Sequence, residues 1–170
     1  MEEVVLVDKQ DNVIGIAEKL NAHQTGALHR AFSIFIFNSK GEMLLQQRAL
    51  DKYHSGGLWT NACCSHPRPE ELTIEAANRR LEEELEMTTD LSFLFTFLYK
   101  AGFENGLVEH ELDHVFVGTT DQSPSLNPKE AMDYRYQPTD KLLNEIRVNP
   151  DHYTFWFKEI AEKVITKYKS

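Results

Sequence analysis

Among seven histidines, His23, His29 and His66 stand beside other residues able to ligate a cation. One imidazole alone says little. Glu109 and Glu111, in Val108-Glu109-His110-Glu111-Leu112, are two positions apart, so on a strand both carboxylates leave the same face. Two anions held that close repel unless a cation lies between them; the alternative is the solvated face of an edge strand. Three imidazoles and two carboxylates make a nitrogen and oxygen donor set for a divalent transition metal, zinc or manganese, with no thiolate in it. Cys64 precedes His66 by two residues in Thr60-Asn61-Ala62-Cys63-Cys64-Ser65-His66-Pro67. Near a cationic centre such a thiol has a lowered pKa and trades a proton, whereas a free cysteine that merely fills space is a small inert hydrophobe.

A second group of charges lies downstream. Arg80 and Glu84, and one step round Arg79 and Glu83, are i,i+4 pairs if the segment is helical. They are either surface ion pairs or a device in which the glutamates hold Mg²⁺ and Arg80 neutralises a phosphate. Arg48 and Lys52 are further anion candidates.

The elements that must carry these residues can be read from periodicity. Val4 to Val7 and Val13 to Ala17, separated by Asp11-Asn12, predict a hairpin. Ala31 to Phe37, the turn Asn38-Ser39-Lys40-Gly41, and Met43 to Gln47 predict another. From Thr73 to Glu86, Ala76, Ala77, Leu81 and Leu85 recur at helical spacing with no Gly or Pro between. Leu91 to Phe103, Leu107 to Val117 and Ala131 to Tyr136 read as strands. Thr154 to Tyr168, with Phe155, Ile160, Ala161 and Ile165, reads as an amphipathic helix. The fold class is therefore α+β or a mixed sheet flanked by helices.

Composition narrows the function classes. With 41% hydrophobic and 26% charged residues, eight glycines and six prolines, the chain is globular rather than fibrous or disordered. The formal charge of −9 repels polyanions, so nucleic acid is not an expected partner and an anionic ligand needs local cations. The start, Met1-Glu2-Glu3, is acidic and the apolar runs are short, so neither secretion nor membrane insertion is expected. The only two cysteines are adjacent and cannot staple distant segments, which predicts free thiols and a cytoplasmic location.

From Ser65 to Met87 the sequence resembles the Nudix signature: Ser65 holds the first glycine position, and Glu71, Arg79, Leu81, Glu83, Glu84 and Met87 follow at its spacing. Arg80 stands where the signature has glutamate and Glu86 where it has its second glycine. Those departures remove part of a hydrolase's carboxylate set. Taken with Glu18-Lys19, Ala22-His23, His29-Arg30-Ala31-Phe32-Ser33, Arg48-Ala49-Leu50, Trp59 to Pro67, Tyr99, the paired glutamates and Trp156, they give the chain a resemblance to type I isopentenyl-diphosphate Δ-isomerases over nearly its whole length. His23 and His29 are one residue closer than in the bacterial members, which calls for a tighter loop.

The resemblance implies an α+β, Nudix-like mixed sheet sandwiched by helices, with added N-terminal strands and a C-terminal helix, as one domain over residues 1–170. It implies isomerisation of isopentenyl diphosphate to dimethylallyl diphosphate, a step of isoprenoid biosynthesis. By the same resemblance Cys64 and Glu111 are the acid/base pair. Metal ligation lowers the pKa of Glu111, so protonating an unactivated alkene calls for a relay through Tyr99 or a bound water, and a carbocation-like state calls for an aromatic face, for which Trp156 is the natural candidate. His23, His29, His66, Glu109 and Glu111 hold Zn²⁺ or Mn²⁺, Glu84 binds Mg²⁺ with the diphosphate, and Lys19, Arg48, Lys52 and Arg80 contact that diphosphate. The implied partner is a small isoprenoid diphosphate, with the protein a monomer or weak homodimer. A Nudix-type diphosphate hydrolase and a non-enzymatic, metal-stabilised binding module are the alternatives.

Overall fold

The computed structural model describes residues 1–170. Strands β1 (Glu3–Val7) and β2 (Val13–Glu18) form the first hairpin, antiparallel from Glu3↔Glu18 to Val7↔Val13. A short helix α1 (Lys19–Thr25) follows and ends at Gly26, whose φ of 73° turns the chain sharply into β3 (His29–Phe37). That left-handed glycine is what the close spacing of His23 and His29 requires. Next come β4 (Met43–Arg48), the short β5 (Trp59–Thr60) and β6 (Cys63–Ser65), α2 (Thr73–Leu85), β7 (Ser92–Gly102), β8 (Val108–Thr119) and β9 (Ala131–Gln137). The chain closes with α3 (Thr139–Val148), a 3₁₀ turn at Pro150–His152 and α4 (Phe155–Lys169). All nine strands belong to one mixed sheet, which bears out the α+β expectation.

The second expected hairpin exists only at its tip. β3 and β4 pair at Phe37↔Met43 and then part. One edge of β3 is taken by β6, antiparallel from Phe32↔Ser65 to Ile34↔Cys63, and the other by β8, parallel from His29↔Glu111 to Phe37↔Thr119. β4 pairs instead with β9 and, at Gln46↔Thr60 and Gln47↔Trp59, with β5. The reason is in the composition of β3: its run from Ala31 to Phe37 is buried on both faces, which suits a central strand covered by helices rather than one arm of a hairpin. Residues 59–65 thus form a wedge that leaves β4 and joins β3.

The two faces of β3 feed two cores. Phe32, Ile34 and Ile36 pack with Ala76, Ala77, Leu81 and Leu85 of α2, while Phe35 and Phe37 pack with Phe157, Ile160, Ala161 and Val164 of α4. Phe155, read from the sequence as part of the apolar stripe, is instead 39% exposed. Helices α1 and α3 and strands β5 and β6 were not expected from periodicity.

Helix α2 ends at Glu86 with φ 50° and ψ 41°, a left-handed C-terminus at the position where the Nudix signature carries glycine. A side chain there is strained, and its carboxylate, following Glu82, Glu83 and Glu84, opposes the helix dipole. Glu86→Gly is expected to stabilise the protein by up to about 1 kcal/mol, raising Tm by roughly 2–4 °C, as measured by thermal unfolding.

Candidate active site

Residues opposite each other in a sheet share a face, and alternate residues of a strand repeat it. The registers Ser33↔Cys64 and His29↔Glu111 therefore put Cys64 and Glu111 on the face of β3 that carries His29 and Ser33. Glu109 and Asp113 flank Glu111 at two residues on that same face, and Tyr99 joins them through Tyr99↔Glu111. One strand separates β6 from β8, so the thiol and the carboxylate arise from backbones about 10 Å apart, a gap of hydrocarbon size. Both line a cavity of about 490 Å³, walled elsewhere by Lys19, Arg48, Lys52, Arg80, Glu84 and Trp156.

His23, His29, His66 and Glu111 each present one donor atom, all within 4.8 Å of one another. His23 Nδ1 lies 2.7 Å from the Lys19 carbonyl and His29 Nδ1 2.9 Å from the Ala27 carbonyl. A carbonyl only accepts, so both Nδ1 atoms carry hydrogen and both Nε2 atoms carry lone pairs. Those Nε2 atoms, and both ring nitrogens of His66, are buried without a hydrogen-bond partner. Burial and the neighbouring imidazoles hold His23 and His66 below the ordinary histidine pKa, which keeps them neutral and able to ligate. Orphaned lone pairs converging on a carboxylate fit a divalent cation, and nothing else in the protein satisfies them.

Glu109, expected as a fifth ligand, stands apart from this group. His54 Nε2 lies 2.6 Å from its Oε1, and the Tyr99 hydroxyl donates to its Oε2 at 2.5 Å while reaching Glu111 Oε1 at 3.1 Å. Burial and the Glu111 charge push the Glu109 carboxyl above its usual range, and burial does the same to Asp113. Three buried carboxylates on one strand face are a charge that a bound cation relieves.

Cys64 donates its S–H to Asn61 Oδ1 at 3.2 Å and lies 3.4 Å from Ser33 Oγ, which in turn donates to Asp113 Oδ2 at 2.5 Å. Asn61 Oδ1 is held in place because its amide nitrogen donates to the carbonyls of Ile34 and Cys63. Burial and the Asp113 charge push the Cys64 thiol up, so the lowered pKa considered from the sequence is not supplied by the protein's own groups. Cys63 points to the opposite face and is wholly buried in the α2 core.

At the other end of the cavity Arg80 donates to Glu84 at 2.6 Å, to Glu83 at 2.6 Å and to Glu130 at 3.2 Å. Lys52 donates to Glu130 at 2.8 Å and Lys19 to Glu2 at 3.4 Å. Arg48 reaches the His54 carbonyl at 3.2 Å and stands 5.3 Å from the Trp156 ring centre. Buried Glu84 also accepts from Gln46 at 3.3 Å, which fixes an oxygen donor on the cavity wall. The expected Arg79–Glu83 pair is long at 3.5 Å, because Arg79 is held by Glu71 at 2.7 and 3.0 Å. The cations and acids expected from the sequence are thus brought to one cavity or its metal-ligating corner, except Glu83, which lies outside the cavity wall, and with Glu109 bonded otherwise than expected.

Asp113, Asn61, His54 and Glu130 were not expected in the site. Asp113 continues the two-residue alternation of Glu109 and Glu111, a signal present in the sequence. His54 and Glu130 sit on connections whose path only the fold defines.

Residues 27–157 match the NUDIX domain family. The isopentenyl-diphosphate Delta-isomerase 2 of Aromatoleum aromaticum is 50% identical over 97% of this chain and 87% of its own length. The chain belongs to the type I isopentenyl-diphosphate Δ-isomerase family. The family's enzyme from Pectobacterium atrosepticum is also 50% identical, over 93% of this chain and 88% of that protein. A crystal structure from Deinococcus radiodurans at 19% identity superimposes with a TM-score of 0.80, covering 95% of this chain and 98% of that one, and so shares the fold. As an isopentenyl-diphosphate Δ-isomerase family member the chain keeps the Nudix helix α2 but places Arg80 where a hydrolase has a further glutamate. No helix is long and apolar enough to cross a membrane.

Proposed function

We propose that this protein isomerises isopentenyl diphosphate to dimethylallyl diphosphate, with Cys64 and Glu111 as the two proton-transfer groups. The observation that carries this is that both project from one sheet face, across β3, into the same cavity. Moving the double bond by one position needs a proton added to a terminal carbon and another removed from a carbon nearby, through a tertiary carbocation-like state. Two groups on opposite sides of the substrate accomplish this with no net loss of protons, and in the reverse direction their roles exchange. Tyr99, bonded to both Glu109 and Glu111, carries a proton between the two carboxylates.

Lys19, Arg48, Lys52 and Arg80 bind the diphosphate, and the wall formed by Trp156, 3% exposed, excludes the water that would trap the cation as an alcohol. Zn²⁺ or Mn²⁺ on His23, His29, His66 and Glu111 would fix and neutralise that carboxylate, and Mg²⁺ at Glu84 would screen the diphosphate charge. Glu109 supports the centre through Tyr99 and His54. The two free thiols support a cytoplasmic protein.

Incubation with isopentenyl diphosphate and Mg²⁺ in D₂O is expected to yield dimethylallyl diphosphate carrying deuterium, with no phosphate released. Phosphate release would establish a hydrolase instead, and inertness a binding module. The Trp156 face should stabilise the cationic state by about 0.5–2 kcal/mol. Trp156→Leu is therefore expected to lower kcat by about two- to thirtyfold with KM little changed, and Trp156→Phe by less, as read from steady-state kinetics.

A further inference from the structure

The diphosphate end of the cavity is internally occupied. Glu130, on the connection before β9, lines the cavity and holds the two cations nearest it, Lys52 at 2.8 Å and Arg80 at 3.2 Å. Its place is fixed by the backbone: its carbonyl accepts from Ala49 N–H at 3.0 Å and its own N–H donates to the Asn127 carbonyl at 2.9 Å. Burial alone would raise its pKa, but the Lys52 hydrogen bond and the Lys52 and Arg80 charges hold it below the usual carboxylate range, so it is an anion. Glu84, bonded to the same guanidinium nitrogen of Arg80, places a second carboxylate beside it.

An entering diphosphate must take Lys52 and Arg80 from Glu130 while standing next to its charge. A bare diphosphate is therefore opposed, whereas one carrying a divalent cation turns Glu130 and Glu84 from repelling into attracting neighbours. We infer that Glu130 is a specificity-determining residue that makes this site select cation-bound diphosphates over free ones. This rests on the reading that Lys52 and Arg80 face a diphosphate.

The test is calorimetric binding of inorganic pyrophosphate to the full-length protein, with Mg²⁺ and with Mg²⁺ withheld. The Glu130→Gln variant keeps shape and removes the charge. It is expected to bind metal-free pyrophosphate about tenfold more tightly than the wild type, the scale of one partly buried charge at ion-pair distance, while its affinity for the Mg²⁺ complex falls or stays level. Glu130→Ala should move the ratio the same way, which separates loss of charge from new amide bonds. Glu83→Gln serves as the control: Glu83 bonds Arg80 more closely than Glu130 does, at 2.6 Å against 3.2 Å, but is 42% exposed and outside the cavity wall, so its loss should leave the ratio within about twofold. Equal affinities in wild type and Glu130→Gln, or weakening of both forms alike, would overturn the role of Glu130 with the diphosphate site intact. No pyrophosphate binding to the wild type under either condition would overturn the diphosphate site itself, and the inference with it.

Discussion

Replacing Cys64 by alanine is expected to lower turnover by on the order of 10²–10⁴-fold, the usual contribution of one positioned proton-transfer group, while the protein stays folded. Folding should survive because no polar group is orphaned. Asn61 Oδ1 still accepts from the Thr60 hydroxyl at 2.9 Å, and Ser33 still donates to Asp113. Cys63→Ala is the matched comparison. Its sulfur lies on the opposite face, 0% exposed, and its removal leaves a small void in the α2 core, costing about 1 kcal/mol and roughly 2–4 °C in Tm. Glu84 keeps Arg80 and Gln46 as donors, so turnover of Cys63→Ala should stay within about twofold of wild type. Steady-state rates and thermal melts of both variants decide the matter: comparable losses of activity from the two would remove any special role for position 64.

Stripping divalent cations with a chelator is expected to produce the other large effect. It leaves the Nε2 atoms of His23 and His29 and both nitrogens of His66 buried without partners, and Glu111 close to Glu109 and Asp113 with no positive charge to offset them beyond what His54 gives Glu109. A cation present at about a thousand times its Kd contributes roughly 4 kcal/mol, so Tm should fall by about 8–16 °C and turnover should vanish. Melting curves recorded after adding back Zn²⁺, Mn²⁺ or Mg²⁺ singly should show which ion restores the transition, with Zn²⁺ or Mn²⁺ expected. A melt indifferent to chelation would mean that the histidine cluster is satisfied in some other way.

Where periodicity was uninterrupted, the fold could be read directly. The Ala76, Ala77, Leu81, Leu85 stripe places α2 over Thr73–Leu85, and the long runs of β7 and β8 need no neighbours to be recognised. The parting of β3 from β4 could not be read, because it depends on which segments compete for the edges of β3, and that is settled by pairing across the chain. Strands of two and three residues, such as β5 and β6, are too short to show a period at all. In the site, Glu109 and Glu111 announce a shared strand face by their spacing, and Asp113 extends the same pattern by two residues. His54 owes its place to a loop that stacks it on Phe103, with ring centres 4.4 Å apart, a contact no local pattern encodes. Glu130 needed the three-dimensional meeting of Lys52 and Arg80, which are separated from it by 78 and 50 positions.

The segment 59–65 closes the gap between two strands and also presents the thiol. Anyone reshaping this enzyme for bulkier substrates therefore faces a fixed floor: insertions or loosening there would open the architecture along with the reaction chamber. Room must be made from the roof, at Tyr53 or at Trp156 on the first turn of α4, where a changed side chain alters volume and leaves the strand seam closed.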